Sequence, residues 1–161
     1  MASNWLLQFH VVISLVGIAS GLIVFYGLLT GKAFPGWTAV FLATTVLTSV
    51  SGFPLAPYGF DPPRMIGILS LVLLAIAIAA GYVFHLAGPW RWIYVGTALA
   101  ALYLNCFVGV VQAFQKLPLL QPLAPTQSEP PFVVAQLVVL AVFVVCGALA
   151  IIRFRPGLKP A

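Results

Sequence analysis

Five apolar runs, each close to the roughly 20 residues a helix needs to cross a bilayer, follow one another along this chain, separated by short clusters of proline, glycine and charge. They predict spans at about 5–29, 37–53, 65–86, 90–115 and 132–152, and so an all-α fold: one integral membrane bundle of five transmembrane helices in a single domain. Thr30-Gly31-Lys32 ends the first run, while Pro35-Gly36 and the loop at 54–63 bracket the second, which is the shortest and most polar. The third stays apolar to Leu86, where Ala87-Gly88-Pro89 forces a tight turn because proline cannot donate the next helical hydrogen bond. The segment KLPLLQPLAPTQSEPP divides the last two spans. Its prolines keep it from being helical throughout, and its leucines suit it to rest on the membrane surface. No internal repeat is visible, and an odd number of spans cannot be two equal halves, which argues against the inverted repeats of many transporters.

Composition agrees with the pattern. Of 161 residues, 63% are hydrophobic and 6% charged, too apolar for a soluble domain of this length to cover its core. Seven Lys and Arg against Asp61 and Glu129 give a net charge of +5, which in a soluble chain would raise the question of nucleic acid. Here the charges stand singly between apolar runs and set topology. Lys32, Arg91, Arg153, Arg155 and Lys159 fall on one side, Arg64 and Lys116 on the other. Since cytoplasmic loops carry the excess of base, the N-terminus is expected outside and the C-terminus in the cytoplasm, with Asp61 and Glu129 outside. Trp37, Tyr82, Trp90, Trp92 and Tyr94 then mark the inner boundary, and Trp5, Tyr58 and Phe60 the outer one. MASNWLLQFH has no positive n-region, and the run it opens reads as an uncleaved first span.

Within the first span His10, Ser14, Gly17 and Gly21 form one helical stripe, and Asn105, Gly109, Gln112 and Lys116 repeat that spacing in the fourth. Gly17 and Gly21 make a small-xxx-small motif that lets a neighbouring backbone approach, so the stripe is expected to face protein. The second span adds Thr44, Thr48 and Ser51 on one face with Thr45 and Ser49 beside it, and Gln136 lies about one turn into the fifth. At ~1.5 Å per residue, His10, Thr48, Gln112 and Gln136 fall within roughly 4 to 8 Å of the outer ends of their spans, with Ser14 and Asn105 one or two turns deeper. His10, Ser14, Thr48, Asn105, Gln112 and Gln136 are therefore the candidate ligand-binding residues, an outer-side polar layer. The same side chains also read as packing alone, with amides and hydroxyls bonding across helices or back onto their own turn.

Other chemistry finds little material. Cys106 and Cys146 lie in different apolar runs at unequal depth and read as unpaired small hydrophobes. His10, Asp61 and Glu129 match no metal-ligand template, and the membrane between His10 and His85 excludes haem ligation by both. There is no GxxxxGK[ST], GxGxxG, HExxH, CxxC or GxSxG. The sequence indicates no catalytic residue and leaves any cofactor undetermined. The leading expectation is a non-enzymatic protein that binds a small hydrophobic ligand, or a partner subunit, through the outer layer and the APTQSEPP loop. The alternatives are a small transporter or channel, which needs a polar path to the inner side, and a membrane enzyme, for which only His10 offers a base.

LYLNCFVGVVQAFQKLPLLQPLAPTQSEPPF and GWTAVFLATTVLTSVSGF resemble stretches of small hydrophobic bacterial membrane proteins of uncharacterised function. The resemblance implies a bacterial inner-membrane protein and no particular activity. In size and span number the chain is also similar to the tryptophan-rich sensory proteins of the translocator class, but their Trp-rich motifs are absent, so no ligand carries over.

Overall fold

The computed structural model describes residues 2–55 and 62–156. Tyr58, Phe60, Asp61 and Lys159, to which the sequence assigns boundary or topological roles, lie outside the described residues. All regular structure among the described residues is helical: α1 (Ala2–Leu29), α2 (Pro35–Gly52), α3 (Pro62–Ile78), α4 (Trp90–Lys116) and α5 (Pro130–Arg153). A π-helical turn, Ala79–Val83, prolongs α3, and a 3-10 turn, Gln121–Leu123, interrupts the proline-rich connection. Four of the helices, α1, α3 with its π turn, α4 and α5, are long and apolar enough to cross a membrane. α2 spans 18 residues but is outside that set, because Thr38, Thr44, Thr45, Thr48, Ser49 and Ser51 dilute its apolar content. The bundle thus has five helices, of which α2 is the one that its neighbours must shield.

The helix ends follow local chemistry. Proline occupies the first turn of both α2 and α5, where its missing N–H would have had no acceptor. Gly31, at φ 72°, closes α1: the Lys32 N–H reaches the Gly27 carbonyl at 2.8 Å and the Gly31 N–H the Leu28 carbonyl at 3.3 Å. Lys116 and Arg153 stand in the last turns of α4 and α5, where the helix dipole favours positive charge.

α4 is the hub and packs against all four other helices, which surround it in the order α3, α2, α1, α5. α3 and α5 close no comparable interface with each other, so the arc is open on one side. The core lies toward the basic end, built from Val24, Phe25 and Leu28 of α1, Phe41 and Leu42 of α2, Leu74 of α3 and Val95, Leu99 and Leu102 of α4. Phe25 stacks on Phe143 of α5 with centroids 5.1 Å apart, and Cys106 and Cys146, both free, pack against the same core.

The third span departs from the expected continuous helix. Its α geometry stops at Ile78 and widens into the π turn; beyond it, Phe84 N–H bonds to the Ala79 carbonyl at 2.9 Å and Leu86 N–H to Ala80 at 3.0 Å. The turn opens with the small residues Ala79, Ala80 and Gly81, and Gly81 packs against the Tyr94 ring. His85 (φ 48°) and Leu86 (φ 59°) then adopt left-handed backbone that non-glycine residues rarely enter, and Phe84 lies flat on Trp90, centroids 3.8 Å apart.

Candidate functional site

The glycine stripe of α1 faces protein. Gly17 and Gly21 are buried; a Cβ on Gly21 would collide with Leu102 and come 2.9 Å from Phe41, so only glycine lets α1, α2 and α4 meet here. One turn toward the N-terminal end of α1, a Cβ on Gly17 would stand 3.2 Å from Asn105 Nδ2, 3.2 Å from Thr45 Oγ1 and 3.3 Å from Thr44 Oγ1. Polar atoms from two further helices therefore converge on the bare backbone of α1. Asn105 meets α1 at Gly17, not beside Ser14 as equal depths predict, because α4 sits about one turn displaced along α1.

Most hydroxyls in the layer satisfy themselves. Ser14 donates to the Val11 carbonyl at 2.8 Å, Thr44 to Val40 at 2.7 Å and Thr48 to Thr44 at 2.8 Å, each on its own helix. Thr45 does not: its Oγ1 is buried without a hydrogen-bond partner in a residue only 2% exposed, and Asn105 Nδ2 is likewise buried and unpaired. Sequence spacing set Thr45 beside the polar face of α2 and left it off the candidate residues, since it does not show which of several hydroxyls a neighbouring helix will cover.

The remaining candidates separate into other roles. His10 turns to the end of α2, where Nδ1 lies 2.9 Å from Ser51 Oγ with the Thr48 backbone beside it. Gln136 ties α5 to α4 by donating from Nε2 to the Phe107 carbonyl at 3.2 Å, which leaves its buried Oε1 unpaired. Gln112 is exposed and does not join His10, contrary to the equal-depth expectation, because α4 turns that position out of the bundle.

The proline-rich connection is anchored from both ends. Gln127 donates to the Val111 carbonyl at 3.2 Å, and the Glu129 carboxylate accepts from the Thr126 N–H at 3.1 Å, the Thr126 hydroxyl at 2.8 Å and the Ser128 N–H at 3.1 Å. Desolvation, the largest single influence on Glu129, would raise its carboxyl, but the Thr126 hydroxyl and the N–H groups of Glu129, Thr126 and Ser128 together outweigh it and hold the group below its ordinary value. A cavity of about 260 Å³ lies under this loop against Phe114 and Gln115. Leu117, Leu119 and Leu123 project from the segment, with Leu119 86% exposed.

This arrangement sets unpaired hydrogen-bond donors around Gly17 and pairs one hydroxyl with a base, Ser51 with His10. Among the described residues, no three His, Cys, Asp or Glu side chains group as metal ligands do. The fold and site define an all-α, multi-pass membrane protein with a polar layer enclosed between helices. No protein-family model, curated protein or solved structure matches the chain.

Proposed function

We propose that this is a non-enzymatic protein of the bacterial inner membrane, with its N-terminus outside and its C-terminus cytoplasmic. In this reading it binds a small hydrophobic molecule bearing one polar oxygen in the outer half of the bundle. The observation that carries the reading is the unpaired couple of Thr45 Oγ1 and Asn105 Nδ2 at Gly17. A buried donor left without a partner costs about 1–3 kcal/mol, and the bilayer supplies little water to relieve it. A carbonyl, hydroxyl or ether oxygen accepting from both would remove that cost.

The couple lies between α1, α2 and α4, inside the bundle, which favours a small molecule over a partner subunit docking from outside. The core beneath it, from Val24 and Phe25 to Leu74 and Leu99, is mostly apolar, and the buried Ser20 hydroxyl bonds back to the Val16 carbonyl of its own helix; this favours a binder over a channel, for which a polar path would have to continue to the other side. The orientation rests on the basic residues: Arg91, Arg153 and Arg155 gather at one end, with Arg64 and Lys116 at the other.

Native mass spectrometry of the protein purified in mild detergent tests the proposal. A retained hydrophobic molecule is expected, and it is lost from both Thr45→Val and Asn105→Leu while the helical content stays unchanged. Retention of the same molecule by both variants, or its absence from the wild-type protein, overturns the reading.

A further inference from the structure

At the opposite end of the bundle a cavity of about 480 Å³ is lined by Leu86, Gly88, Arg91, Arg155 and Pro156. It draws on three elements: the left-handed turn after the π segment, the start of α4 and the exit of α5. Arg91 is held in place by α5, whose Ile151 carbonyl accepts from Arg91 Nη1 at 2.9 Å and whose Phe154 carbonyl accepts from the same nitrogen. These bonds use one of its three nitrogens and fix the plane of the guanidinium at the cavity wall. Arg155, from the other wall, donates Nε to the Ile152 carbonyl of its own helix at 3.3 Å. Glu129, the one carboxylate among the described residues, is engaged at the far end of α5.

Two arginines thus border one space with no carboxylate beside them among the described residues, at the N-terminus of α4, where the helix dipole also favours an anion. Near these residues in the chain, Tyr82, Val83, Phe84, Trp92 and Ile152 are all exposed, and α3 and α5 close no comparable interface with each other, which leaves one side of the arc open to lipid. We propose that this cavity binds a phosphate group, carried by an anionic phospholipid headgroup whose chains follow the opening between α3 and α5. A purely soluble phosphate would make the same contacts with the arginines but would leave the open side between α3 and α5 unused.

The test compares phosphatidylglycerol, phosphatidylcholine and inorganic phosphate on the full chain in detergent, with native mass spectrometry for the lipids and calorimetry for phosphate. Phosphatidylglycerol is expected to be retained in preference to phosphatidylcholine, and Arg155→Gln to weaken that retention about tenfold, as loss of a charge-assisted contact does. Arg153→Gln, which removes an equal charge from the same end but does not border the cavity, is expected to leave it unchanged. Arg91→Gln should act as Arg155→Gln does; because it also releases α5, Arg155 is the deciding variant. Binding of inorganic phosphate with the same dependence on Arg155, but no preference for phosphatidylglycerol, supports the phosphate site with a soluble source. Equal retention of both lipids with no phosphate binding, or equal effects of Arg153→Gln and Arg155→Gln, overturns the proposal.

Discussion

α2 and α5 invert the rule that governs soluble proteins. α5 is apolar along almost its whole length, yet of its 24 residues only Gly147 and Ala150 are buried. α2 carries six hydroxyl side chains in 18 residues and buries Phe41, Leu42, Thr45 and Thr48. In water the apolar helix would be the core and the polar one the surface. In a bilayer the lipid tails are as apolar as leucine, so exposing α5 costs little and burial gives it little, whereas the hydroxyls of α2 need cover from α1 and α3. The large exposed surface of α5 is therefore explained by lipid and needs no partner protein.

The contrast can be broken most sharply by truncating one leucine on each side of it. Leu102, fully buried against α1, is expected to lose about 2–5 kcal/mol on replacement by Ala, because a cavity remains in a packed core. Leu137 of α5, 57% exposed, should change stability by no more than about 0.5 kcal/mol. Reversible unfolding in mixed micelles measures both, and comparable losses would mean that α5 is buried by something other than lipid.

Next in size is Gly21→Ala, whose added methyl meets Leu102 and Phe41 and should cost about 1–3 kcal/mol by overpacking. Gly36→Ala, where a Cβ meets nothing within 4 Å, is the control and should be neutral. A tolerated Gly21→Ala would show that α1 and α2 are not held as closely as the structure has them.

A smaller effect is expected where His10 joins α2. A double-mutant cycle of His10→Ala and Ser51→Ala should give a coupling near ~0.6 kcal/mol, the usual size of an interhelical hydrogen bond in a membrane protein. Zero coupling would detach His10 from the shielding of α2 and return it to the list of groups available for a ligand.

The smallest effect concerns the loop that leads into α5. Because the folded Glu129 carboxyl lies below its unfolded value, its hydrogen bonds stabilise the loop fully above the unfolded value and are lost as pH falls through the folded one. The Thr126 and Ser128 amide resonances should therefore titrate below the ordinary glutamate range, and Glu129→Gln should abolish that titration. A midpoint at or above the ordinary value would count against the loop geometry.

Five helices, their order and most of their ends were legible in the sequence because a bilayer demands continuous apolar helix, and because proline and glycine stop it locally. The inward stripe of Gly17 and Gly21 was legible for a related reason: small residues at helical spacing leave room for a neighbour and little else. The tertiary structure alone decided that Asn105 meets Gly17 and not Ser14, that Thr45 and not Thr48 is left unpaired, and that Gln112 points outward. It also decided that Arg91 is bound to the end of α5 and that the third span widens into a π turn. Each of these depends on how far one helix slides and rotates against another. At about 3.6 residues per turn, one position of register turns a side chain by roughly 100°, from protein to lipid, and that register comes from contacts between helices distant in the chain, which local periodicity does not encode.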